Sequence, residues 1–101
     1  MIPVFYKVMK HYIVVKFKEG FDYSKHIDRI SDLFNEAKNI NGVEKTDIYT
    51  SNSDLKNRYD LMIVMDLDKK ALNDFDNSDI HQRWKDEFGA YIVNKTIFDC
   101  D

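Results

Sequence analysis

The sequence contains one cysteine, Cys100, one proline and three glycines. A lone cysteine excludes an intrachain disulfide and any metal site built from the thiolates of one chain. It also fits a reducing compartment, so the cytoplasm is the expected location. The scarcity of proline and glycine means that few breaks interrupt the hydrophobic pattern. No apolar run approaches the ~18 residues that a membrane-spanning helix requires. Residues 1–9 (MIPVFYKVM) are apolar but lack a basic leading segment, a long apolar stretch and a small-residue cleavage site, so they are not read as a signal peptide. Positive charge is not in excess either. Lys and Arg number 15 against 18 Asp and Glu, a net charge of −3. That balance argues against a nucleic-acid partner, whose phosphates require a basic face.

What is present suits one globular domain. The chain has 101 residues, and 44% of them are hydrophobic, enough for a core. Lys10–Lys18 (KHYIVVKFK) is rich in strand formers, and alternation puts His11, Ile13, Val15 and Phe17 on one face with Tyr12, Val14, Lys16 and Lys18 on the other. Asp22 and Ser24 are candidate N-caps for a helix whose apolar stripe runs Ile27, Ile30, Phe34, Ala37, Ile40 and stops at Asn41-Gly42. Val43–Tyr49 reads as a second, more polar strand. After a polar connection, Tyr59–Leu67 (YDLMIVMDL) is the third and most apolar strand. Asp66-Leu67-Asp68 leads into a helical stretch with Leu72 and Phe75 on one face, broken at Asn77-Ser78-Asp79. A further helix carries Ile80, Trp84 and Phe88 at four-residue spacing and closes at Gly89, before a last strand over Tyr91–Asp99. The order β-α-β-β-α-β predicts an α+β fold with a four-stranded antiparallel sheet.

Two helical regions cover only one face of such a sheet, and the other face of a monomer should alternate with polar residues. The third strand does not alternate: Leu61, Met62, Ile63, Val64 and Met65 are all apolar, as are Ile13, Val14 and Val15 in the first. A second copy related by two-fold symmetry is the simplest cover, so a homodimer through the open sheet face is expected.

The segment Lys10-His11-Tyr12-Ile13-Val14-Val15-Lys16-Phe17-Lys18 resembles the opening strand of the stress-responsive dimeric α/β-barrel (Dabb) domain family. Ser78-Asp79-Ile80-His81-Gln82-Arg83-Trp84 is similar to that family's His-Pro-x-His-x-x-aromatic segment, and Asp60–Asp68 and Ile97-Phe98-Asp99 match in type and spacing. The resemblance covers about residues 9–99. It implies a Dabb domain over residues 9–101 preceded by an extension, residues 1–8. It also implies a ferredoxin-like monomer that pairs sheet against sheet into an eight-stranded barrel. Family members differ in function. Many are known only as stress-responsive proteins, and a plant polyketide cyclase among them closes a ring by a cofactor-free aldol reaction. The fold therefore does not fix the activity.

Carried over residue by residue, the resemblance implies His81 as a general base and His11 as a second pocket histidine. Imidazole titrates near neutrality and can take a proton beside a carbonyl. His11 shares its strand face with Ile13, and His81 shares a helix side with Trp84 and Phe88. The expected cleft lies between sheet and helices, lined by Ile13, Tyr59, Phe75, Trp84 and Phe88, and suits a small apolar or aromatic molecule. The chain departs from the cyclase pattern at three places. Phe75 stands where the cyclase has a tyrosine that orients its histidine, Ser78-Asp79 replaces His-Pro, and Leu61 replaces a third pocket histidine. Tyr59 and Tyr91 are the candidate sources of the missing hydroxyl.

Each candidate has a plainer reading. His11 suits a buried histidine bonded to backbone, His81 a helix-capping or packing residue, and Trp84 and Phe88 core. His26 is expected to be solvated and Cys100 incidental. Asp66, Asp68 and Asp79 are expected to cap helices or face water rather than hold a metal, and no cofactor is expected. Three functions remain open: a ligand-binding dimer, a cofactor-independent enzyme for proton transfer, aldol closure or isomerisation with His81 as base, and an RNA-binding module. The last lacks the aromatic RNA-binding signature in the third strand and has the wrong charge.

Overall fold

Period-two burial defines the first strand, β1 (Met9–Phe17): His11, Ile13, Val15 and Phe17 are buried, while Tyr12, Val14 and Lys16 stay half-exposed. The computed structural model describes residues 8–101, so the expected N-terminal extension lies, apart from Val8, outside the described residues. Beyond β1 come α1 (Ile27–Glu36), β2 (Val43–Thr50), β3 (Leu61–Leu67), α2 (Lys69–Asp76), α3 (Asp79–Phe88) and β4 (Ile92–Cys100). The sheet order is β2-β3-β1-β4 and every pairing is antiparallel. The two most apolar strands therefore take the centre. The helices lie on one side, giving the expected β-α-β-β-α-β monomer with α2 and α3 sharing the second helical position.

Local signals set most of the element ends. Asp22 accepts from the Ser24 amide at 3.2 Å and starts a short 3-10 turn, Tyr23–His26, that runs into α1. Asp68 caps α2 by accepting from the Ala71 amide at 2.7 Å, and Ser78 caps α3 by accepting from the His81 amide at 3.1 Å. The other two aspartates weighed for a cation are paired: Asp66 with Lys10 and Asp79 with Arg83. Gly89 ends α3 with ordinary right-handed backbone (φ −55°), because the chain continues into a 3-10 turn over Gly89–Tyr91.

Gly42 is a different case. Its φ of +96° lies in the left-handed region, and a Cβ there would sit 2.6 Å from Asp68 Oδ2 and 3.0 Å from Ala71 Cβ. Gly42→Ala thus strains the turn and displaces the α2 cap together. The expected loss is about 2 kcal/mol, roughly a degree of strain plus one cap. Urea unfolding checks it, and a loss below about 0.5 kcal/mol, the range of an ordinary surface change, would disprove the coupling of turn and cap.

The core lies between helices and sheet. Ile30, Leu33 and Phe34 of α1, Ala71 and Phe75 of α2, and Trp84 and Phe88 of α3 are buried against Ile13, Val15 and Phe17 of β1 and Leu61, Ile63, Met65 and Leu67 of β3. Arg29 clasps Glu87 through three hydrogen bonds of 3.0–3.2 Å, and Arg83 reaches Glu36 at 2.8 Å, so two partly exposed ion pairs link α3 to α1. His26 is not solvated as expected. Its ring stacks on Phe21 at 5.0 Å and meets the Phe88 edge at 5.9 Å, because the 3-10 turn directs it back over the end of α3.

Candidate functional site

The register of β1 against β4 puts chemistry on the helix side of the sheet. Asp99 is opposite His11, Ile97 opposite Ile13, and Lys95 opposite Val15. Directly paired residues share a face, so all three β4 side chains join the buried face of β1. The helical layer does not extend over this edge strand, and Lys95, Ile97 and Asp99 remain exposed. The result is a cleft of about 340 Å³ that opens at the sheet edge. Its walls are His11 and Ile13 from β1, Leu72 and Asp76 from α2, His81 and Trp84 from α3, and the three β4 residues. That volume is at the small end of the range for ligand pockets.

A larger depression, about 450 Å³, lies at the far end of β1, between residues 16–23 and 53–60. It contains none of the candidate residues. Its central carboxylate, Asp60, is already engaged, accepting from the Phe17 amide at 2.8 Å and lying 3.6 Å from Lys16 Nζ. The smaller cleft is therefore the better candidate on chemical grounds.

His11 and His81 occupy the cleft in different states. His11 is 6% exposed, and its Nδ1 lies 2.5 Å from Asp99 Oδ1. The expected backbone partner is replaced by a carboxylate, which fixes the ring's orientation and its tautomer. His81 is half-buried in the first turn of α3, with its ring against the fully buried Phe75 at 5.2 Å between centroids. Its Nδ1 is buried and makes no hydrogen bond of ordinary geometry.

Burial is the main reason why the His81 pKa is pushed below the usual 6.5. The ammonium groups of Lys85 and Lys95 act in the same direction, and Asp76 opposes them. The imidazole is therefore neutral at pH 7. Since its folded pKa lies below its unfolded one, protonation favours the unfolded chain. Stability should hold above about pH 6.5 and fall as the pH drops below that value towards the folded pKa. NMR titration of the ring, with unfolding followed from pH 7.5 to 5, checks this. A His81→Gln variant should lack that component of the acid-side loss, and an unchanged profile would refute the assignment.

The cleft gathers His11, Ile13, His81 and Trp84 but not the rest of the expected lining. Phe75 lies beneath His81 in the core, and Phe88 lies behind Trp84, with 5.4 Å between ring centroids. Tyr59 is on the opposite face of the sheet, where its hydroxyl meets Thr96 at 2.7 Å. Tyr91 stacks on Phe21 at 4.3 Å, at the other end of the β1–β4 ladder. Neither tyrosine reaches His81. Asp99, Lys95, Ile97, Leu72 and Asp76 are the lining residues that sequence reasoning did not single out. Among the described residues no cluster of His, Cys, Asp and Glu is suited to a metal ion, and no helix is long and apolar enough to cross a membrane.

No family model matches the chain, and no curated protein matches it. Solved structures do. A Dabb-family protein with a ferredoxin-like fold from Mesorhizobium loti superposes with a TM-score of 0.71 at 16% identity, over 93% of this chain and 95% of that one. A dimeric ferredoxin-like protein of unknown function from Thermobifida fusca gives 0.77 at 9% identity, over 96% and 94%. Another from Jannaschia gives 0.77 at 16%, over 94% and 99%. Likeness at such low identity establishes the fold: the chain is an α+β, ferredoxin-like domain, as its resemblance to the dimeric α/β-barrel family implied.

Proposed function

We propose that this protein is a cytoplasmic homodimer of the dimeric α/β-barrel type that binds a small apolar or aromatic molecule in the cleft between β1, β4 and helices α2 and α3. The observation that carries the reading is the cleft itself, which brings two histidines and the Trp84 ring to one concavity. Ile13, Leu72, Trp84 and Ile97 offer the apolar surface, and His11 and His81 offer polar contacts. The dimer is supported by the apolar open face and by neighbours that are themselves described as dimeric. A place in stress physiology is what the sequence resemblance implies.

A thermal-shift screen of small phenols, polyketide-like acids and fatty acids against wild type and His81→Ala tests the reading. A ligand at about 100 times its Kd adds about 2.7 kcal/mol. Each kcal/mol moves the midpoint of a domain this size by roughly 4–8 °C. A wild-type shift that shrinks in His81→Ala supports the cleft. The absence of any shift across the panel would count against it.

A second reading, a cofactor-independent aldol cyclase or isomerase with His81 as general base, is favoured by one observation. The ring is held neutral at pH 7 by its burial and its cationic neighbours, the state in which a base is ready to accept a proton. Asp99 holding His11 supports a fixed second imidazole. The reading expects His81→Ala to abolish turnover while leaving the dimer intact. Equal rates in mutant and wild type would exclude it.

A further inference from the structure

We infer that the cleft selects an apolar molecule ending in a carboxylate, and that Lys95 is the specificity-determining residue. The inference rests on the cleft being a binding site, as proposed above. Lys95 is the only lysine or arginine among the described residues that line it. Several other cations of the described chain are engaged elsewhere: Lys10 with Asp66, Lys16 with Asp60, Arg29 with Glu87, Lys70 with Asp74 and Arg83 with Glu36. Lys95 has no ion pair or hydrogen bond among the described residues. It projects from the edge strand on the same face as Ile97 and Asp99, at the mouth of the cleft.

Two carboxylates face the same space and must be weighed. Asp99 is committed to His11 Nδ1. Asp76, at the end of α2, has no ion pair among the described residues; it acts on His81 in the direction that favours protonation, while Lys85 and Lys95 oppose it. Two ammonium groups, Lys85 and Lys95, thus act at the imidazole against the single carboxylate of Asp76. An anion entering the cleft beside Lys95 would be stabilised by its ammonium group. The apolar body of such a ligand would lie against Ile13, Leu72 and Trp84. Its carboxylate would reach the Lys95 ammonium at the rim and accept the one N–H that a neutral His81 offers.

Matched acid and amide pairs test this by calorimetric titration: octanoate with octanamide, and phenylbutanoate with phenylbutanamide. Wild type should bind each acid about tenfold more tightly than its amide, a ratio worth 1.4 kcal/mol. Lys95→Gln should bring the ratio close to one while leaving amide affinity unchanged. Lys95→Arg should restore the preference, and added salt should weaken it in wild type. Asp76→Asn should raise the ratio. Equal binding of acid and amide by wild type, or a preference that survives Lys95→Gln, would overturn the inference and leave the cleft standing as an apolar site. Failure of every acid and amide to bind wild type would remove the cleft reading and this inference together.

Discussion

Val14→Asp should convert the protein from a dimer to a folded monomer in size-exclusion chromatography with light scattering. Val14 is at the centre of the sheet face that no helix covers, between Met62 of β3 and Thr96 of β4. Around it are Tyr12, Tyr49, Val64 and Phe98. Tyr49 and Phe98 are more than half exposed in the monomer, and the Tyr12 and Phe98 rings lie 6.1 Å apart, forming a continuous apolar surface. Val64, on the same face, is only 8% exposed. A second sheet laid on this face would enclose Val14, and an unpaired carboxylate enclosed there costs several kcal/mol, enough to dissociate a two-fold dimer. The same substitution in a monomer leaves the carboxylate half-exposed and costs little. Circular dichroism should therefore report an unchanged fold. A wild type that already runs as a monomer at high concentration, or a Val14→Asp variant that remains dimeric, would show that this face is not the interface.

The sequence made the strands and helices legible because each carries a periodicity that does not depend on its neighbours. Alternation in KHYIVVKF and the stripe Ile30, Phe34, Ala37 specify their own buried faces. The cleft was only half legible. His11 and His81 stood out as titratable groups at the edge of apolar faces, but the partner of His11 is 88 residues away. Finding Asp99 requires knowing that β4 lies beside β1, and in which register. Lys95 depends on the same register: the ladder is unbroken from Lys10 to Lys16, so Lys95, Ile97 and Asp99 alternate onto the helix side together once β4 is placed beside β1.

Tyr59 was misplaced for a related reason. Strict alternation from Leu61 backwards puts residue 59 on the helix side, but β3 begins only at Leu61, where it pairs with Val15 and Thr50. The Asp60 amide makes one more bond, to the Val15 carbonyl at 2.9 Å, and Tyr59 lies outside the ladder. Freed from the ladder, its ring turns to the open face and Thr96. Positions at strand ends obey the turn rather than the pleat, and sequence periodicity carries no information about them.

Phe34→Ala should destabilise the fold more than Gly42→Ala or Arg29→Ala. Phe34 is 1% exposed and is the point where α1 meets both later helices, with ring centroids 5.9 Å from Phe75 and 5.3 Å from Trp84. Truncating a buried phenylalanine removes its transfer free energy and leaves a cavity, together about 3–5 kcal/mol. Against a typical domain stability of about 5–15 kcal/mol, that is a large fraction. Arg29→Ala, which breaks an equally visible contact to Glu87, should cost less than about 1 kcal/mol because that pair is solvent-exposed. The consequence should extend to the cleft. Phe75 supports the His81 ring and Trp84 forms a wall, so loosening both should admit water to the imidazole and return its pKa towards the usual 6.5. Denaturant unfolding with NMR titration of His81 measures both effects on one variant. Loss of stability without movement of the His81 pKa would mean that the ring is desolvated by its own helix rather than by the aromatic cluster beneath it.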